Sequence, residues 1–246
     1  MSIRKDRALT VGSLFSGIGG FDLGFQRAGF EIKWQVELDD YCSCVLAKHW
    51  PDVPRYGDVR TIERLPRVDV VVGGFPCQDI SFAGNGAGLA GERSGLWREF
   101  DRIVGLIRPR YVVVENVAAL TVRGLGRILS DLAIRGFDAE WTCLPACAFG
   151  APHTRRRVFI VAYANRLNGR PGFRDSITRA FRPLQAFDGF EDSRAGYRAR
   201  LADPSALYRD ADGVPYRLER NRAIGNSVHP AIAEWIARRI LAAEQV

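Results

Sequence analysis

A cysteine set behind a proline at the end of an apolar run is the residue in this chain best placed for covalent chemistry. Gly73-Gly74-Phe75-Pro76-Cys77-Gln78 follows Val68-Asp69-Val70-Val71-Val72, a run short and apolar enough to be a buried strand. Two glycines let the backbone turn sharply or let a ligand come close, and Pro76 fixes its own φ. Cys77 therefore stands on a stiff turn at the carboxyl end of a strand, where open α/β sheets bind ligands. A thiolate there is a nucleophile. A lone cysteine is more often a buried structural thiol, so its partners decide between the two. Tyr111-Val112-Val113-Val114 runs straight into Glu115-Asn116-Val117. A carboxylate directly after a buried strand costs free energy unless it is used or paired, which makes Glu115 a candidate acid. Arg155-Arg156-Arg157 leads into Val158-Phe159-Ile160-Val161-Ala162. Arginines anchored by a strand favour specific anion or base-edge contacts over a solvated charge run.

These groups need a scaffold, and hydrophobic periodicity supplies one. Leu9 to Phe15 reads as a first strand, and Ser16-Gly17-Ile18-Gly19-Gly20 turns it into a helix from Phe21 to Ala28. Strand, glycine turn and helix make the first unit of a nucleotide-binding α/β fold. Asp22 stands where a dinucleotide fingerprint needs its third glycine, so an adenosyl ligand without phosphates suits the turn better. A second strand, Ile32 to Val36, ends at Glu37. That acid comes about twenty positions after the glycines, the spacing of a carboxylate that accepts from ribose hydroxyls. Tyr41 to Trp50 predicts a helix, and Gly57-Asp58 a turn whose acceptor could read an adenine amino group. Asp79 to Gly95 is glycine-rich and predicts a mobile lid. Leu96 to Ile107 has helical spacing, Leu125 to Arg135 predicts a helix, and Asp138 to Leu144 a strand. A final helix starts at Ser227 or at His229-Pro230, with Ile232, Trp235, Ile236 and Ile240 as its apolar stripe.

Composition narrows the partners. The net charge is +7, and only Lys5, Lys33 and Lys48 of the 35 basic residues are lysines. Arg forks match phosphates and guanine edges, although a GC-rich genome would produce the same bias. Five cysteines are an odd number for a disulfide framework. Neither Cys42/Cys44 nor Cys143/Cys147 has the usual zinc spacing, so no metal is expected. No apolar run reaches a membrane span and no secretory leader is apparent, which predicts a cytoplasmic protein without membrane contact. From Ala164 to about Asp212 the apolar period is lost and arginines alternate with aromatics, as in a nucleic-acid-contacting lobe or a half-ordered insertion.

Taken in order, these segments resemble the C5-type DNA cytosine methyltransferases, in particular their compact phage and bacterial members. Phe15 to Gly20 looks like the cofactor loop, Gly74-Phe75-Pro76-Cys77-Gln78 like the nucleophile motif, and Glu115-Asn116-Val117 like the acid motif. Arg155-Arg156-Arg157-Val158-Phe159 is similar to the arginine motif, and Gly225-Asn226-Ser227-Val228 to the last cofactor motif. The match covers roughly residues 9–163 and 213–246, and five motifs in register are specific. His153 departs from the family's usual Gln, and Leu38 from an aromatic found in many members.

The resemblance implies a Rossmann-like S-adenosylmethionine-dependent methyltransferase sheet, class α/β, with helices on both faces and a small irregular target-recognition lobe. It implies a catalytic and cofactor-binding domain over 1–163, the lobe over 164–212, and a return to the first domain over 213–246. It implies S-adenosylmethionine as methyl donor and S-adenosylhomocysteine as product. The donor would be held by Phe15, Ser16, Gly17, Ile18, Gly19, Gly20, Glu37, Leu38, Asp58, Val59, Gly74, Pro76, Asn226, Ser227 and Val228. Cys77, Glu115, Arg155 and Arg157 would be catalytic, and Gln78, Ser81, Asn85, Arg93, Asn116 and Arg156 would touch DNA. The partner would be double-stranded DNA, the protein a monomer, with or without a cognate restriction endonuclease. An RNA (tRNA) cytosine-5 methyltransferase on the same scaffold and a non-catalytic DNA-binding relic are the alternatives.

Overall fold

The computed structural model describes residues 7–76, 95–151, 153–169, 173 and 223–245. Chain order is β1 (Thr10–Leu14), α1 (Gly20–Arg27), β2 (Glu31–Val36), α2 (Asp40–His49), β3 (Arg55–Tyr56), β4 (Val70–Gly73), α3 (Leu96–Ile107), β5 (Tyr111–Val117), α4 (Leu120–Arg123), α5 (Leu125–Ile134), β6 (Phe137–Pro145), β7 (Arg156–Ala164) and α6 (Pro230–Glu244). The strands form one seven-stranded sheet in the order β3-β2-β1-β4-β5-β7-β6. The first five of that order are parallel, and β7 pairs antiparallel with both β5 and β6. From β1 the chain winds outward through β2 to β3, then returns to β4 and winds the other way to β5. Right-handed crossovers at both places put α1 and α2 on one face and α3 on the other. The carboxyl ends of β1 and β4 flank this reversal, which is where such sheets form their ligand crevice.

Val70, Val71, Val72, Val112 and Val113 are fully buried, as expected of central parallel strands covered on both faces. Gly12 admits the ring of Trp34 from the neighbouring strand: a Cβ there would lie 2.1 Å from the indole. The β1–β2 register shifts between Val11 and Gly12 to accommodate it, and Trp34 Nε1 donates to Pro66 O at 2.9 Å. On α2, Asp39 accepts from Cys42 N at 3.0 Å as N-cap. On α3, Trp97, Phe100, Ile103, Val104 and Ile107 form the buried face, and Arg108 ends the helix at φ 50 ahead of Pro109.

α6 starts with Pro230 at N1 behind His229. Its contact face differs from the expected stripe. Ala233, Ala237 and Ala243 are buried with the three isoleucines, whereas Trp235 is only half-buried, with Arg239 stacked 3.6 Å from its ring centroid. The cause lies in α1: a Cβ on Gly24 would come within 2.4 Å of Ala233 Cβ, an approach that only small residues permit. Two other expectations are corrected. β5 does not stop at Val114 but runs through Glu115 and Asn116, which pair with Phe159 and Val158 of β7. β7 itself starts at Arg156 and reaches Ala164. β3 and α4 were not foreseen; two and four residues are too few for a period to show. Most of the expected lobe and return segment, residues 170–172 and 174–222, lies outside the described residues. Phe173 is buried and meets Tyr163 edge-on, ring centroids 5.8 Å apart.

Candidate active site

Strand register builds the site. Val36, Leu14, Gly73 and Val114 stand side by side across four strands. The next residues along, Glu37, Phe15, Gly74 and Glu115, therefore emerge together at one edge of the sheet. Phe15 turns out of β1 with φ 52, a conformation that costs a non-glycine residue on the order of 1–2 kcal/mol. Neighbours hold it there. Its ring stacks on Phe100 with centroids 6.5 Å apart, and the next amide, Ser16 N, donates to Val36 O at 3.0 Å. Ser16 Oγ adds bonds to Ser13 O and Val36 O. Gly17 and Gly19 take φ 55 and 86, and α1 opens behind them.

Glu37 closes this turn. Its Oε2 accepts from Gly17 N at 2.7 Å and its Oε1 from Asp39 N at 2.8 Å. Each oxygen retains acceptor capacity, and among the described residues no heavy atom beyond Gly17 and its chain neighbours lies within 4 Å of where a Gly17 side chain would begin. A fixed acceptor beside open space fits the ribose of an adenosyl group. Leu38, 65% exposed, and the half-buried Ile18 flank it. Asp58 caps the short 3-10 turn Val59–Thr61 through Arg60 N, and its carboxylate also meets the Arg60 guanidinium at 2.6–2.9 Å. Arg60 thereby holds the Asp58 pKa below the ordinary carboxylate range. From the far end of the chain, Ser227 and Val228 pack against Gly20, where a Cβ would lie 2.2 Å from Val228 O. Arg155 Nη1 donates to Gly225 O, so the arginine motif also reaches that return segment. Asn226 is exposed.

The other side of the crevice is built from a buried charge. Glu115 is 6% exposed. Its Oε2 occupies the space a Gly74 side chain would take, 2.6 Å from the Cβ position. Arg157 Nε lies 3.1 Å from Oε1, yet Oε1 accepts no hydrogen bond among the described residues. The contact is therefore a charge pair off the hydrogen-bond direction. Burial pushes the Glu115 pKa up to about 7, against the opposing pull of Arg157 and Arg155. Arg157 is opposite Val117 and Glu115 opposite Phe159, a diagonal relation that long side chains on one face can span. Arg156 points the other way and is exposed.

Asn116, expected on the DNA, has a different task. It is 2% exposed, its Nδ2 donates to Phe75 O at 3.1 Å, and its Oδ1 accepts from Val117 N at 2.8 Å. It fastens the Gly74–Pro76 turn to the tip of β5. Gly74 is half-buried and Pro76 exposed. Cys77, Gln78, Ser81, Asn85 and Arg93, with the lid expected over 79–95 apart from Gly95, lie outside the described residues. One acid that the sequence marked only as breaking the dinucleotide fingerprint is buried and paired. Asp22 accepts from Ser13 Oγ at 3.2 Å and Gln35 Nε2 at 2.9 Å beneath the glycine turn. An acid between Phe21 and Phe25, on the inward side of a helix, was the signal. Among the described residues no group of three or more His, Cys, Asp or Glu is placed to hold a metal, and no described helix is long and apolar enough to cross a membrane.

Comparison with known proteins identifies the family. The family model for C-5 cytosine-specific DNA methylase matches residues 9–198. Type II methyltransferase M.NgoFVII of Neisseria gonorrhoeae is 36% identical over 157 residues, covering 61% of this chain and 42% of the relative. Type II methyltransferase M.BanI of Aneurinibacillus aneurinilyticus is 31% identical over 230 residues, covering 87% and 52%. The chain thus spans about half the length of the curated relatives it matches. Among solved structures, an E. coli prophage protein described as a DNA modification methyltransferase superposes with TM-score 0.56 at 27% identity, over 65% of this chain and 48% of the other. The Entamoeba histolytica methyltransferase EhMeth shares the fold, with TM-score 0.55 at 15% identity, over 64% of this chain and 53% of that one. With the glycine turn, the acid strand and the arginine strand all inside the matched span, this chain belongs to the C-5 cytosine-specific DNA methylase family.

Proposed function

We propose that the protein transfers a methyl group from S-adenosylmethionine to carbon 5 of a flipped cytosine in double-stranded DNA, and that residues 164–212 choose the cytosine. The observation that carries this reading is Glu115: a buried acid with a pKa near neutrality, pressed against Gly74, three residues before Cys77. Carbon 5 of cytosine is a poor nucleophile because its ring is aromatic and electron-poor. The Cys77 thiolate forms a bond to carbon 6 and breaks that aromaticity. Glu115, kept protonated by burial, gives its proton to ring N3, so the electron pair collects at carbon 5. Arg157 holds the cytosine carbonyl or a neighbouring phosphate in a low-dielectric site. When bound, S-adenosylmethionine supplies the electrophilic methyl. Loss of the carbon-5 proton to water then restores the double bond and expels the Cys77 thiolate, and the N3 proton returns to the Glu115 carboxylate.

Phe15 to Gly20, Glu37, Leu38, Asp58, Val59, Gly74, Pro76 and the return residues Asn226 to Val228 would hold the cofactor. Glu37 would take the ribose hydroxyls and Asp58 the adenine amino group. Gln78, Ser81, Asn85, Arg93 and Arg156 would contact DNA, whose target base leaves the stack at a cost on the order of a few kcal/mol. The protein would act as a monomer, in the cytoplasm.

The test is trapping. The full chain is incubated with S-adenosylmethionine and randomised duplexes that carry 5-fluorocytosine, which has no proton to lose at carbon 5. We expect a denaturation-resistant adduct that maps by peptide mass to Cys77. An adduct at another residue, or turnover without an adduct, overturns the mechanism.

A further inference from the structure

Arg102 belongs to α3 and to none of the motifs above. Its guanidinium reaches the turn that follows β3. Nη1 donates to Ile62 O at 2.7 Å and Nη2 to Val59 O at 2.9 Å, while Nε lies 2.7 Å from Glu99 Oε2. A planar fork held at three points fixes orientation as well as distance. The two carbonyls bracket the 3-10 turn Val59–Thr61, whose N-cap is Asp58. One turn of 3-10 helix has little rigidity of its own, so its direction depends on what grips it from outside. The same helix reaches the rest of the crevice. Trp97 packs on Phe75 with centroids 5.5 Å apart, and Phe100 stacks on Phe15.

We infer that Arg102 is a positioning residue for cofactor recognition: by gripping the Val59–Ile62 carbonyls it aims the Asp58 carboxylate at the adenine amino group and ties adenine recognition to α3. This rests on the cofactor reading above. A plain strut would also hold the turn, but it would have no bearing on which purine binds.

Binding of S-adenosylhomocysteine and S-inosylhomocysteine to the full chain, measured by titration calorimetry, separates the two. The inosyl compound presents an oxo group where adenine has its amino group, so the wild type should favour the adenosyl form. Arg102→Ala should weaken adenosyl binding about tenfold, the scale of one charge-assisted hydrogen bond, leave inosyl binding nearly unchanged, and bring the ratio towards one. Arg102→Lys, with a single donor centre, should recover part of the ratio. An Arg102→Ala protein with the wild-type ratio overturns the inference. So does an equal loss of both ligands with a lowered melting temperature, which marks a strut. Asp58→Ala is the control. If it abolishes the ratio and Arg102→Ala does not, Arg102 alone is misassigned. If it leaves the ratio intact, Asp58 does not read adenine and the inference falls with it. If the wild type binds neither nucleoside, the cofactor reading itself fails.

Discussion

Asp22, beneath the glycine turn, and Glu115, at the tip of β5, are both carboxyls taken out of water, 1% and 6% exposed. Burial raises both, Asp22 to about 6 and Glu115 to about 7. Their partners differ. Asp22 meets two neutral donors, Ser13 and Gln35, which tie β1, α1 and β2 together. Glu115 meets a guanidinium at 3.1 Å that is not directed at its lone pair. The same desolvation therefore produces two kinds of group. One has its acceptor sites engaged and serves as a fastener. The other keeps an unused acceptor facing a cation, so a proton can come and go near neutral pH.

Substitutions that remove one charge at a time can break this contrast. Glu115→Gln should lower the single-turnover methylation rate about 10²–10⁴-fold, the usual contribution of a positioned acid, whereas Asp22→Asn should stay within about threefold. Equal losses would mean that both carboxyls are structural. Rate against pH sharpens the point. Glu115 works when protonated, so the wild-type rate should fall as pH rises through about 7, and that limb should be absent in Glu115→Gln. Next in size is Gly74→Ala. Its methyl would sit 2.6 Å from Oε2, and displacing an acid by about 1 Å costs up to about 10²-fold. Presteady-state kinetics should show the loss in the chemical step; a normal rate would show that Glu115 has room to move.

The smallest effect is one of stability. The folded pKa of Asp22 lies above its ordinary value of 3.8. Stability from this group is therefore complete below about pH 3.8 and lost as pH rises through about 6. Asn at this position carries no charge, and its amide can donate to Gln35 Oε1, which has no hydrogen-bond partner among the described residues. Urea unfolding at pH 8 should show Asp22→Asn more stable by on the order of 1–3 kcal/mol, and nearly equal to wild type at pH 4. Destabilisation at pH 8 would mean that the charge on Asp22 holds the turn.

The layout of the glycine-turn side was legible in the sequence because it is local. Gly17 and Glu37 belong to adjoining strand ends, and their spacing reflects one strand-turn-helix unit. The helix of α3 appeared with its bounds because Phe100, Ile103, Val104 and Ile107 repeat cleanly. The acid side was legible only as a list of residues. That Arg157 meets Glu115, and that Asn116 turns inward to Phe75, depends on β7 entering antiparallel beside β5, a pairing that no local pattern encodes. Arg102 was hidden for a related reason: one arginine beside an apolar stripe looks like an exposed helix residue until the turn it grips is placed next to it.

The approach of α1 and α6 has a consequence for biosynthesis. Gly20 and Gly24 are backed by Val228, Pro230 and Ala233, which come from far along the sequence. Synthesis makes the glycine turn about two hundred residues before its rear wall. Until then the small-residue stripe on α1 faces solvent or a chaperone. The crevice behind the glycine turn is thus completed by α6 only after the sheet strands have been made.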